Sequence, residues 1–156
     1  MKAVIATVAA VAALAAAGSA AAQAWRLPAN YGAVTLYAGF TPDPFAVNVT
    51  AGGTIDAASS VSSSCRGWIS AAPDFELTYS AGSLPLAISV NSNADTTLVI
   101  NGPDGRWYCD DDGGANGLNP SLRWNSPPSG TYDIWVGSYN GQPAAAVLGI
   151  SELSTY

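Results

Sequence analysis

Histidine is absent from this 156-residue chain, lysine occurs once, and charged residues make up only 10% of it. These gaps exclude whole classes of chemistry. Without histidine there is no Ser-His-Asp or Cys-His relay and no imidazole-ligated zinc. The one lysine is Lys2, too close to the N-terminus to serve a Ser-Lys pair once that segment is removed. Sparse charge also argues against helical surfaces, which usually carry Glu/Lys pairs one turn apart.

The segment that removes Lys2 has three parts. A positive charge is followed by an apolar run from Ala3 to Ala17, then by Gly18-Ser19 and the small-x-small triplet Ala22-Gln23-Ala24. This is the pattern of a cleavable Sec-type secretory signal, residues 1–24, with the cut before Trp25. A transmembrane anchor needs about 20 strongly apolar residues, whereas this run is mostly alanine and breaks at Gly18-Ser19. No cysteine follows the cut to carry a lipid, and no later segment is apolar enough to span a membrane. The expected mature chain, residues 25–156, is the size of a single domain with a secreted or periplasmic location. Four arginines then face eleven acids, a net charge of −7. Such a chain repels phosphate backbones and anionic lipid, which excludes nucleic acid as a partner.

Cys65 and Cys109 are the two cysteines, both in the mature part. In an exported chain they read as a disulfide. A metal site or a nucleophilic thiol is the alternative, and neither has a histidine to work with. Closing a loop that long contributes about 4 kcal/mol in the chain-entropy model.

Alternation dominates the mature chain. Phe45–Thr50, Phe75–Tyr79, Leu84–Val90, Thr96–Ile100, Arg106–Cys109, Ser121–Trp124, Tyr132–Tyr139 and Ala144–Ser151 are short apolar or alternating runs. Turn chemistry separates them: Asp43-Pro44, Gly52-Gly53, Asn91 to Asp95, Pro103-Asp104-Gly105 and Pro127 to Gly130. The pattern predicts an all-β, jelly-roll-like antiparallel β-sandwich. Ala57–Ser64, a Ser/Ala stretch without a period, is expected to be a weak strand or an exposed loop.

Between Ala94 and Glu152 the order of motifs is distinctive. Asp95-Thr96-Thr97-Leu98-Val99-Ile100 leads to Pro103-Asp104-Gly105, then Asp110-Asp111-Asp112, then Ser129-Gly130-Thr131-Tyr132. This half of the mature chain resembles the bacterial pre-peptidase C-terminal (PPC) domain in a stand-alone exported form. The resemblance implies a jelly-roll β-sandwich acting as a non-catalytic accessory or binding module, sometimes holding Ca²⁺.

The residues themselves point to one dense cluster. Asp110-Asp111-Asp112, followed by Gly113-Gly114-Ala115-Asn116-Gly117-Leu118-Asn119, supplies carboxylates, amide oxygens and glycines that let carbonyls turn inward, the donor set Ca²⁺ prefers. Asp104, Asp95 and Asn119 are expected to join it if the strand ends converge. The spacing is not an EF-hand, and a solvated acidic turn is the competing reading. Trp107, Trp124, Trp135 and Tyr139 form the candidate ligand platform, with Trp135 expected exposed beside Asp133. Among enzyme readings only a carboxylate pair drawn from Asp74, Glu76 and Asp133 survives, and a solubilising face is the simpler account of it. The leading expectation is therefore a non-enzymatic exported sandwich, stapled by Cys65–Cys109 and binding Ca²⁺. Its partner would be an extracellular or envelope polymer, protein or polysaccharide. A carbohydrate-binding module using exposed Trp/Tyr and a self-assembling envelope subunit are the alternatives.

Overall fold

The alternating runs become strands that bury one face of each of two sheets. The structure, a computed structural model, describes Ala24 and residues 26–156, so the expected signal peptide lies outside the described residues except for its last position. In chain order the elements are β1 (Ala33–Tyr37), β2 (Phe45–Ala51), β3 (Ile55–Asp56), α1 (Ala57–Ser60), β4 (Trp68–Ile69), β5 (Phe75–Ser80), β6 (Leu86–Ser92), β7 (Thr96–Asn101), β8 (Trp107–Asp110), β9 (Ser121–Trp124), β10 (Gly130–Ser138) and β11 (Ala144–Ser151). One sheet has the order β2-β11-β6-β9. The other is organised around β10, which pairs with β7 on one side and with β5 and then β4 on the other. β8 extends it beyond β7, and β1 beyond β5. The chain changes sheet at most of its connections, as a jelly roll does. The ladders are antiparallel except for β1–β5, which is parallel, a pairing that alternation alone does not reveal.

Phe75, Leu77 and Tyr79 of β5, Leu98 and Ile100 of β7, and Tyr132, Ile134 and Val136 of β10 face Leu86, Ile88, Val90, Leu148 and Ile150 of the second sheet. These side chains are almost wholly removed from water, and burial of each contributes about 1.5–3 kcal/mol. Asp74 does strand-like work in the gap where β4 has ended and β5 has not begun. Its Oδ2 accepts the Val136 amide at 2.8 Å, and its Oδ1 accepts from Asn30 Nδ2 at 3.0 Å and Ser70 Oγ at 3.1 Å. It is thus a buried ladder substitute, not half of an exposed acid pair.

The outer face of the β10 sheet is covered as well. Trp135, expected at the surface, has no exposed area and packs with Ala57, Cys65, Ile69 and Val99. The cover is the Ser/Ala stretch: α1 starts on Asp56, whose Oδ1 accepts the Ala58 amide at 3.0 Å. The following loop is pinned by the Cys65–Cys109 disulfide, whose Cα atoms lie 5.2 Å apart. Residues with no period of their own become a lid because a covalent bond holds them against the sheet.

Replacing both cysteines by serine is expected to lower the unfolding free energy by up to about 4 kcal/mol, measured by denaturant titration. A red-shifted tryptophan emission should accompany it as the cover over Trp135 loosens.

Candidate functional site

The hairpin β7–β8 brings the acidic groups together. Leu98 pairs with Asp110 and Asn101 with Trp107, so the start of β7 and the end of β8 meet at one end of the sandwich. Asp95 precedes the first strand and Asp111-Asp112 follow the second. One carboxylate oxygen from each of Asp95, Asp111 and Asp112 lies within 4.8 Å of the other two. Asp95 Oδ1 and Asp111 Oδ1 are buried without a hydrogen-bond partner. An orphaned buried acceptor costs about 1–3 kcal/mol, more when charged.

The electrostatics agree. Burial first, then the Asp112 charge, raises the Asp95 carboxyl above the ordinary aspartate range. Asp111 is raised by burial and then by Asp112, Asp95 and Asp110, with Arg66 opposing. The Arg66 guanidinium itself donates to the Ser63 and Cys65 carbonyls at 2.9 and 2.8 Å.

The other expected ligands go elsewhere. Asp110 Oδ2 accepts the backbone amides of Gly113 and Ser121, both at 2.8 Å, and so folds the loop. Asn119 is buried, its Oδ1 accepting from Thr96 Oγ1 at 2.6 Å and its Nδ2 donating to the Ser92 carbonyl at 2.9 Å. Asp104 sits in the turn at the opposite end of the hairpin, accepting from Tyr108 Oη at 2.6 Å and 3.8 Å from Arg106 Nε. Six strand positions at about 3.3 Å each separate that turn from Asp95, so Asp104 cannot join the cluster. Loop residues 110–119 are thereby held by Asp110, Asn119 and the disulfide, while Asp111 and Asp112 are left facing Asp95.

The aromatic platform is dispersed. Trp107 packs on Trp135 with ring centroids 5.4 Å apart, on the outer face of the β10 sheet. Trp124 belongs to the second sheet and meets Tyr108 and Tyr132 edge-on. Tyr139 is exposed, and so is Trp68, which the sequence did not single out. Trp68 pairs with Ser138, and the Tyr139 amide donates to the Asp95 carbonyl at 3.1 Å. These two exposed rings therefore border the acidic end. Trp68 was hidden in sequence because its strand is two residues long.

No protein-family model matches the chain, and no curated protein matches it. Among solved structures it is similar to the pre-peptidase C-terminal domain of a collagenase from Bacillus anthracis. The two are 16% identical with a TM-score of 0.44, covering 76% of this chain and 94% of that one. It is also similar to PliG of Aeromonas hydrophila, a periplasmic lysozyme inhibitor of g-type lysozyme, at 13% identity and a TM-score of 0.38 over 76% of this chain and 96% of that one.

Asp111→Asn should stabilise the metal-free protein at neutral pH. A folded-state carboxyl raised above its unfolded value favours the protonated form, so its contribution is favourable at low pH and is lost as pH rises through the carboxylate range. The gain over wild type should therefore be present at pH 7 and vanish at acidic pH, measured by denaturation in chelator. Asp110→Ala should instead destabilise by about 1–3 kcal/mol, having removed acceptors rather than repulsion.

Proposed function

We propose that the protein is an exported, non-catalytic β-sandwich module that holds one Ca²⁺ between Asp95, Asp111 and Asp112. The observation that carries this reading is the pair of buried, unpartnered oxygens on Asp95 and Asp111, facing a third carboxylate within 4.8 Å. Three carboxylates supply up to six oxygens, and water completes the six to eight that Ca²⁺ takes. A bound divalent ion removes the mutual repulsion and satisfies the orphaned acceptors together. The disulfide supports export, because such bonds persist in oxidising compartments. There, sites with affinities of 10⁻⁴–10⁻³ M suffice for Ca²⁺. The missing histidine, and the loss of Lys2 that cleavage of the proposed signal peptide would bring, support a binding rather than catalytic role. Among the described residues no helix is long and apolar enough to cross a membrane.

Adding Ca²⁺ to chelated protein is expected to raise the melting temperature by several degrees, the size expected when about 1–2 kcal/mol is added to a domain of this length. Asp111→Asn should abolish the shift. An unchanged melting temperature in wild type would overturn the reading.

Exposure of Trp68 and Tyr139 beside this cluster favours a polymer as the module's partner, with Ca²⁺ ordering the adjoining loop. Retention on immobilised polysaccharide or fibrous protein should be lost in Trp68→Ala and unaffected in Trp124→Phe. Loss on chelation would tie the two features together.

A further inference from the structure

The outer face of the second sheet carries a row of small residues. Ala46 of β2 opposes Gly149 of β11, Gly149 opposes Ser89 of β6, and Ser89 opposes Ser121 of β9. Directly opposed residues share a face, so the row makes a shallow track across the sheet. The segment that follows β11 is seated on it. Tyr156 donates its amide to Ser89 Oγ at 3.0 Å, and its ring lies against Gly149. A Cβ on Gly149 would stand 2.8 Å from Tyr156 Cδ2 and closer still to Cε2, so glycine is what leaves room for the ring.

The tip of this segment reaches the acidic loop, where the Tyr156 carbonyl accepts the Ala115 amide at 2.7 Å. Gly114 permits the approach. A Cβ on it would stand 3.1 Å from the Tyr156 carbonyl oxygen and 2.6 Å from that of Asn119, which accepts the Gly114 amide at 2.8 Å. At the root of the segment, Glu152 is buried and accepts from Tyr79 Oη and the Gly39 amide. Ser151 Oγ there accepts the Leu153 and Ser154 amides at 3.0 and 2.9 Å. Residues 152–156 are therefore fixed at both ends and exposed between them.

Asp111 and Asp112 lie between two anchors on that row. Asp110 makes the first, through the Ser121 amide, and Ala115 makes the second, through Tyr156. Releasing Tyr156 loosens one end of the stretch that carries both carboxylates, and repulsion between like charges favours the loosened arrangement. We infer that Tyr156 is a positioning residue for the cation site: as the tip of a strap, it holds Asp111 and Asp112 towards Asp95 and so sets the affinity of the site. This rests on the Ca²⁺ reading above. Linkage is reciprocal, so a bound ion also holds the strap down. The outer face of the second sheet is thereby coupled to the acidic end of the sandwich.

The test uses Tyr156→Ala and Gly149→Ala, which break one contact from its two sides, with Tyr156→Phe as the variant that keeps the ring. Gly149 does not sit at positive φ, so alanine there displaces the tip of a side chain rather than the strand. In chelator, NMR hydrogen exchange should be faster at the Ala115 amide in both alanine variants, while the Ile134 amide in the core stays protected. Calorimetric titration with Ca²⁺ should show binding weakened by about fivefold or more in each and unchanged in Tyr156→Phe. The double alanine variant should lose no more than Tyr156→Ala alone, since both substitutions remove the same contact. Ca²⁺ should also slow exchange of the wild-type Tyr156 amide. Unchanged Ala115 exchange, wild-type Ca²⁺ affinity in the alanine variants, or additive losses in the double variant would overturn the inference. A wild type that binds no Ca²⁺ yet shows the Ala115 effect would overturn the cation reading instead and leave Tyr156 as the strap that orders the loop.

Discussion

The Cys65–Cys109 bond joins two parts of the molecule that would otherwise be unrelated. On one side it pins the loop after α1 against Val99 and Trp135, giving the β10 sheet a second buried face. On the other it fixes the end of strand β8 at Cys109, immediately before Asp110, from which the acidic loop departs. Asp110 continues that restraint by accepting two backbone amides. The carboxylates of Asp111 and Asp112 therefore reach Asp95 from a backbone already held in place. Ordering like charges is expensive, and a covalent staple with two charge-assisted hydrogen bonds is the means this chain uses to do it.

The acidic end has one physical character: carboxylate oxygens removed from water without a partner inside the protein. Elsewhere the molecule pairs its buried acids carefully. Asp74 takes three donors, and Glu152 accepts from Tyr79 Oη at 2.5 Å and the Gly39 amide at 2.8 Å. Asp43 likewise accepts from Ser151 and from the Glu152 amide. Against that practice, the orphaned oxygens of Asp95 and Asp111 stand out. Perturbed, unpartnered ionisable groups concentrate where proteins bind something, a description that fits the acidic end and not the fully partnered Asp74.

Much of the sandwich was legible because period-two alternation reports burial on one face. The eight expected strands appear with ends shifted by at most two residues, and the staple is the pair expected. Three things were not legible. β1 is a short alternating run with a parallel partner, a pairing no local signal encodes. β3, β4 and α1 are held by tertiary contact and the disulfide rather than by propensity, so Trp68 and the lid over Trp135 were missed together. Alternation correctly placed Asp133 and Trp135 on the face opposite Tyr132, but it cannot say whether that face meets water. The acidic loop was legible as a cluster and not as a ligand set. Asp110 is spent on the Gly113 and Ser121 amides and Asn119 on Thr96 and the Ser92 carbonyl, and Asp104 lies at the far end of a hairpin whose direction depends on pairing.

The central claim is that the acidic end of the sandwich is a cation site formed by three particular carboxylates. Carboxyl-detected ¹³C NMR during a Ca²⁺ titration tests it most directly. The account predicts that the side-chain carboxyl signals of Asp95, Asp111 and Asp112 move together to a common saturation while that of Asp104 stays in place. Signals that do not respond, or a response centred on Asp104 or on Glu76 and Asp133 instead, would contradict it.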